Sequence, residues 1–137
     1  MSDAWWPEAQ REGVLDIGAH SWNHVHPAVS EMKSRPDLLE AFHAVRTPED
    51  ADLQIAQAVQ YIRSKAGPRS ARLFAYPYGH VSDYLANEYL PQQRDVVAAF
   101  TTEGTPWLPD CDPWRIPRYV CGWHFKSEAE LRSLLAS

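Results

Sequence analysis

The feature that most narrows the fold is a capped amphipathic helix set between two short apolar runs. Thr47-Pro48-Glu49-Asp50 offers a capping hydroxyl, a proline at the first helical position and two acids at the positive end of the dipole. Ile55, Val59, Ile62 and Ala66 then recur at steps of four, three and four, which makes one apolar face, and Gly67-Pro68 stops it. Before this helix, Val14-Leu15-Asp16-Ile17-Gly18-Ala19 reads as a short buried strand; after it, Arg72-Leu73-Phe74-Ala75-Tyr76 reads as another.

The remainder extends the alternation. Residues 5–12 read as a short helix ending at Gly13, and residues 25–46 as loop with one short helix. Residues 83–90 read as helix, 95–101 as strand and 116–121 as a further short strand. Ser127 with Glu130 forms a capping box for a last helix bearing Leu131, Leu134 and Leu135. With no internal repeat, low-complexity tract or linker, residues 1–137 form one expected domain. Alternation of this kind implies an α/β fold with a largely parallel sheet, and such folds carry function at the C-terminal ends of their strands. The two chemically loaded stretches fall there, after Ala19 and after Tyr76.

Composition removes several function classes. An apolar content of 45% supplies a core and excludes disorder. The net charge of −5 comes with no basic stripe, which argues against a nucleic-acid partner. No apolar run approaches the roughly 20 residues that span a bilayer, so no membrane partner is expected. The Met-Ser-Asp-Ala-Trp-Trp-Pro start lacks the pattern of a signal peptide, so a cytoplasmic location is expected. Cys111 and Cys121 are too few for a disulfide scaffold; they fit one bridge or, as the plainer reading, two reduced thiols. Six Trp and six Tyr suit either a core or a cleft that binds sugars.

His20-Ser21-Trp22-Asn23-His24 places two imidazoles four residues apart. On an extended strand they would stand about 13 Å apart, too far for one metal ion. They converge if the strand ends near His20 and the chain turns helical at once. Neutral imidazole is a common zinc ligand. The spacing alone also fits an ordinary pair of hydrogen-bonded or surface histidines, and His26 reads as a loop residue.

Residues 16–24, Asp-Ile-Gly-Ala-His-Ser-Trp-Asn-His, resemble the second motif of polysaccharide deacetylases, a strand followed by His-Ser/Thr-x-x-His. Residues 73–79, Leu-Phe-Ala-Tyr-Pro-Tyr-Gly, resemble the third motif of a subset of that family, in the right order. Residues 112–118 and the final helix also look like the family's C-terminal portion. The resemblance implies a distorted (β/α) barrel that hydrolyses an acetyl amide, or sometimes an acetyl ester, on a carbohydrate. It implies that His20 and His24 hold Zn²⁺ or a similar divalent ion. By the same resemblance, the Tyr78 N–H faces the developing oxyanion, Pro77 and Tyr78 wall the site, Trp22 and His80 approach the substrate, and His124 is a candidate general acid.

The family's first motif, a Thr-Phe-Asp-Asp-Gly strand supplying a ligand and the base, has no counterpart: the sequence contains no Asp-Asp pair. Asp16, about 13 Å along the strand from His20, is a poor substitute. The chain therefore reads as the C-terminal two-thirds of the domain, with the first strand or strands of the barrel missing. Bare sheet edges are adhesive. They are expected to pair in a homodimer or to be covered by the Trp-rich N-terminal segment. Three functional readings follow: a metal-dependent deacetylase of an acetylated carbohydrate or small molecule, a non-catalytic metal- or sugar-binding domain, and an inactive fragment that self-associates.

Overall fold

The computed structural model describes residues 3–13 and 15–136. Helix α1 (Trp5–Arg11) precedes the first extended segment. Helix α2 (Pro48–Ala51) continues through a π turn (Asp52–Ala56) into α3 (Gln57–Ala66). Strands β1 (Leu73–Ala75) and β2 (Ala98–Phe100) pair in parallel, and α4 (Glu128–Leu135) closes the chain.

The helix between the apolar runs forms for the reasons its sequence gives. Thr47 Oγ1 accepts the Asp50 N–H at 3.2 Å, and Pro48 occupies the first turn. Ile55, Val59 and Ala66 are buried, while Ile62 packs partly buried against them. Gly67, at φ +105, ends the helix with its N–H on Arg63 O. Arg35 ties the preceding loop to α2 by reaching both Asp50 carboxylate oxygens, at 2.6 and 3.0 Å.

The parallel sheet is smaller than the apolar runs imply. Among the described residues only β1 and β2 form a regular ladder, with Leu73 opposite Ala98 and Ala75 opposite Phe100. Single bridges extend it on both sides: Ala19 beside Phe74, and Phe100 beside Ile116. The spatial order is thus the 15–20 segment, β1, β2 and the 116–118 segment, all parallel. Residues 95–97 and 117–120 stay outside the ladder.

The first segment is not the buried strand expected from its apolar residues. Leu15 is 65% exposed, Ile17 is half-buried, and Ala19 alone is buried. The physical reason is its place at the sheet edge: it bonds β1 through Ala71 N–H on Ile17 O, Ala19 N–H on Leu73 O and Ala75 N–H on Ala19 O, and nothing described pairs with its other side. Val14 lies outside the described residues.

Residues 83–90 are helical as expected, with a π turn (Leu85–Tyr89) through most of their length. Ser127 Oγ caps α4 by accepting the Glu130 N–H, yet α4 buries none of its residues and Leu135 stays 71% exposed. Trp5 and Trp6 stack on each other, and Trp6 meets Tyr61 of α3 edge-on at 6.4 Å. The Trp-rich helix therefore packs on α3. Its described link to the edge segment is one side-chain bond, Gln10 Nε2 to Asp16 Oδ1. Cys111 and Cys121 are free thiols, as expected.

The core lies on one face of the sheet, where Phe74, Tyr76 and Ala99 pack with Phe42, Val45, Ile55, Leu85 and Leu90. Side chains alternate faces along a strand. The opposite face carries Gly18 and His20, Leu73 and Ala75, Phe100, and then Arg118. Among the described residues no helix covers that face; it opens as a cleft of about 310 Å³ lined by Asp16, Gly18, His20, Ala75, Phe100 and Arg118. Among the described residues, no helix is long and apolar enough to cross a membrane.

Candidate functional site

The carboxyl ends of the four parallel segments lead to His20, Tyr78, Thr102 and Arg118. The first two stand in tight turns with left-handed backbone. The chain does not turn helical after His20, as the four-residue spacing leads one to expect. Instead it reverses through left-handed backbone: φ is +71 at Ser21, +58 at His24 and +44 at Val25. Side chains support the reversal, with Ser21 Oγ accepting the His24 N–H at 2.9 Å and Asn23 Oδ1 accepting the Val25 N–H at 3.0 Å. The result is the same convergence by another route. The His20 and His24 ring centroids lie 4.7 Å apart, and their Nε2 atoms 3.1 Å.

The outer nitrogen of His20 fixes what its inner nitrogen can do. Nδ1 lies 2.7 Å from Ala75 O. A carbonyl oxygen only accepts, so Nδ1 carries a proton, and in the neutral ring the lone pair is on Nε2. Metal-ligating histidines are oriented in this way, by a bond from the nitrogen that does not bind the ion. His24 is held below the ordinary imidazole pKa, first by burial and then by neighbouring His20 and His26, which favours the neutral ring. One ion bonded tetrahedrally to both Nε2 atoms at about 2.0–2.1 Å would hold them about 3.3 Å apart. The observed 3.1 Å fits that requirement, and it equally fits an N–H···N bond donated by His24. An ion and a proton would therefore compete for one position between the rings.

The second turn, residues 76–80, closes with Gly79 N–H on Tyr76 O and His80 N–H on Pro77 O. The Tyr78 N–H precedes the first bond of this turn. Tyr78 has φ +57, and its ring meets His24 edge-on at 4.4 Å. Its hydroxyl is buried without a partner, and burial followed by Glu40 raises its pKa. Beneath it, the Tyr76 hydroxyl donates to Trp114 O at 2.9 Å.

Ring contacts continue from Tyr78 to His80 at 5.5 Å and from His80 to His43 at 5.2 Å. With His26, 6.5 Å from His24, the cluster includes five of the six histidines. Six non-glycine residues have positive φ among those described, and five of them belong here: Ser21, His24, Val25, Glu40 and Tyr78. Such conformations cost about 1–3 kcal/mol each and concentrate at functional sites.

The structure thus brings His20, His24, Pro77, Tyr78 and His80 together. Pro77 is fully buried behind the turn. Trp22 stands to one side, 42% exposed and edge-on to Tyr61 at 5.7 Å. His124 makes its contacts elsewhere: its Nδ1 accepts the Val120 N–H at 2.9 Å, and its ring stacks on Trp123 at 5.0 Å. His26 is an exposed loop residue whose Nδ1 accepts the Ala28 N–H. Sequence reasoning missed His43 and Glu40, which lie in a stretch without periodicity and reach Tyr78 and His80 through irregular loops. Arg118 falls in the 112–118 stretch, to which the sequence assigns no site role, although a residue just past a strand end is where such folds place function.

A metal site needs more than two nitrogens, and among the described residues no group of three His, Cys, Asp or Glu side chains could hold an ion. The imidazole pair fits a divalent ion in donor type, protonation and separation, as an incomplete ligand set.

The polysaccharide deacetylase family profile matches residues 6–93, more than half of the chain and the whole of the His20–His24 and Tyr78 turns. It stops short of the C-terminal portion, so His124 and Arg118 lie beyond the matched residues. No curated protein and no solved structure matches the chain. The match spans both turns and the helix between them: this chain belongs to the polysaccharide deacetylase family.

Proposed function

We propose that the chain is a metal-dependent deacetylase-like protein that acts on an acetylated carbohydrate, hydrolysing the C–N bond of an acetyl amide. The observation that carries this reading is the imidazole pair, with Nε2 atoms 3.1 Å apart and His20 Nδ1 bonded to Ala75 O. His20 and His24 would hold a divalent ion, zinc by donor type. When bound, that ion supplies Lewis-acid polarisation and an activated water.

The chain's own groups do the rest. The Tyr78 N–H lies outside the hydrogen bonds of its turn and is free to meet negative charge on the acetyl oxygen. The Tyr78 ring, edge-on to His24, excludes water from one side of the pair. Pro77 fixes the turn from behind, and His80 and Trp22 border the approach. The candidate general acid, His124, rests on the sequence resemblance alone. The four parallel segments are read as an arc of a distorted (β/α) barrel, with the open cleft on its inner face.

The experiment is acetate release from an N-acetylated amino-sugar oligomer, with and without Zn²⁺ or Co²⁺ and with His20→Ala as control. Metal-dependent release that the variant loses supports the reading; no release under any metal condition rejects it for this chain.

A second reading is favoured by the missing third ligand: a non-catalytic metal- or sugar-binding domain. Calorimetry that detects ligand binding without turnover selects it. We also propose that the unpaired side of the 15–20 segment pairs with a second copy, giving a homodimer, or in an inactive fragment a looser self-association. Light scattering after size exclusion tests this, and a monodisperse monomer refutes it.

A further inference from the structure

Arginines in this chain follow a pattern that one residue breaks. Three half-buried guanidiniums have aspartate partners: Arg35 with Asp37 and Asp50, Arg63 with Asp95, and Arg115 with Asp83 and Asp112. Arg118 is also half-buried, yet has no carboxylate partner among the described residues. Burying part of a cation without a counter-charge is costly, and an arriving anion relieves that cost.

Its position gives the imbalance a direction. Ile116 bridges Phe100, and Phe100 stands level with Ala75. Two residues further on, Arg118 returns to the same sheet face as His20 and lines the same cleft of about 310 Å³. Its Nε donates to Thr101 O at 2.9 Å, which fixes the plane of the fork and leaves both terminal nitrogens for a ligand. Two parallel N–H groups of a held guanidinium match the two oxygens of a carboxylate. The cleft floor under them is small, since Gly18 and Ala75 leave it open.

We propose that Arg118 is an anion-recognition residue of the cleft that binds a carboxylate in bidentate fashion. The carboxylate has two sources: an acidic group carried by the sugar ligand, or the acetate that deacetylation releases. The choice between these sources rests on the deacetylase reading, whereas the carboxylate site itself does not.

The test is a binding titration of the full chain at about pH 8 with chelator present, so that neutral histidines and the absence of metal leave the guanidinium as the anion receptor. The probes are sodium acetate, sodium glucuronate and, as neutral control, glucose. The Arg118 Nε–H resonance of the wild-type protein is expected to move with at least one carboxylate and to stay in place with glucose. Losing two charge-assisted bonds in Arg118→Gln should weaken carboxylate binding about tenfold or more, with Arg118→Lys between the two.

Binding confined to acetate assigns the site to the product, and tighter binding of glucuronate assigns it to an acidic sugar. Unmoved wild-type resonances with both carboxylates overturn the proposal, and so does an Arg118→Lys variant, folded by circular dichroism, that binds carboxylate as wild type does. Because these are binding measurements without metal, failure of acetate release leaves them untouched, and their failure leaves the deacetylase reading untouched.

Discussion

Gly79 offers a sharp test of whether the Tyr78 turn is packed as described. The residue has φ +71, and a Cβ built on it would lie 2.0 Å from Thr102 Oγ1, 3.0 Å from Thr102 Cβ and 3.1 Å from Thr102 Cγ2. Two separable costs follow for Gly79→Ala. Left-handed backbone costs an alanine about 1–2 kcal/mol more than a glycine. Forcing a methyl into occupied space costs about 1–3 kcal/mol more. The Thr102 side chain can rotate Oγ1 away, but its Cβ stays where it is, so rotation relieves only part of the clash. The expected destabilisation is about 2–5 kcal/mol.

A double-mutant cycle separates the two costs. Thr102→Ala removes Oγ1 and Cγ2 and, of the three nearest atoms, leaves the one at 3.0 Å, Cβ. In that background Gly79→Ala should retain its backbone cost and lose most of its steric cost, giving a coupling of about 1–3 kcal/mol. Urea unfolding of the four proteins, read by linear extrapolation, supplies the numbers. A Gly79→Ala cost below about 0.5 kcal/mol would mean that the turn does not hold the left-handed conformation. A cost unchanged by Thr102→Ala would mean that Thr102 is not the neighbour it meets.

Four further outcomes are expected. Asp50→Asn should destabilise the protein by about 1–3 kcal/mol, less than for a fully buried pair because Arg35 is partly exposed. The hydrogen bond from Arg35 holds the Asp50 carboxyl below the usual carboxylate range. The stability it contributes is therefore complete above the unfolded value near 4 and lost as pH falls through the depressed folded value, so unfolding curves of Asp50→Asn should show a flatter acid dependence than wild type. Thr47→Ala should cost about 1 kcal/mol in the same assay by removing the cap on α2. Zn²⁺ should raise the thermal midpoint of the wild type, and His20→Ala and His24→Ala should each abolish most of that rise; a rise that survives both variants places the ion elsewhere. Gly104→Ala would set a Cβ 2.5 Å from His124 Cδ2 and Nε2, so the His124 ring resonances should shift, and unchanged resonances would contradict that packing.

The long-range plan was readable where one local pattern dominated. The helix from Pro48 to Ala66 announces both of its ends and its apolar face, because capping and helical period act over a few residues each. The reading failed where burial depends on partners distant in sequence. Val14 to Ala19 looked like a buried strand because its residues are apolar, but an edge position leaves Leu15 in solvent, and no local pattern reports which strand will lie at an edge. The residues 95–101 and 116–121 shrank to a three-residue strand and two isolated bridges, at Ile116 and Cys121, for a related reason: ladder length is set by register between segments, not by propensity within them.

The site divides along the same line. His20, His24 and Tyr78 were legible because their turns are short and their residue types unusual, although the turn that joins the histidines is left-handed rather than helical. Glu40, His43 and Arg118 were not assigned roles, since each reaches the cluster or the cleft through tertiary placement alone. That difference bears on chemistry. The legible residues bring two imidazoles together; the illegible ones add a carboxylate that acts on Tyr78 and an unmatched guanidinium lining the same cleft as His20. A cleft with imidazole lone pairs at one point and a fixed fork at another can distinguish the two ends of a ligand. On the carboxylate proposal above, specificity would rest on Arg118 and the Thr101 carbonyl that holds it, outside the stretch matched by the family profile.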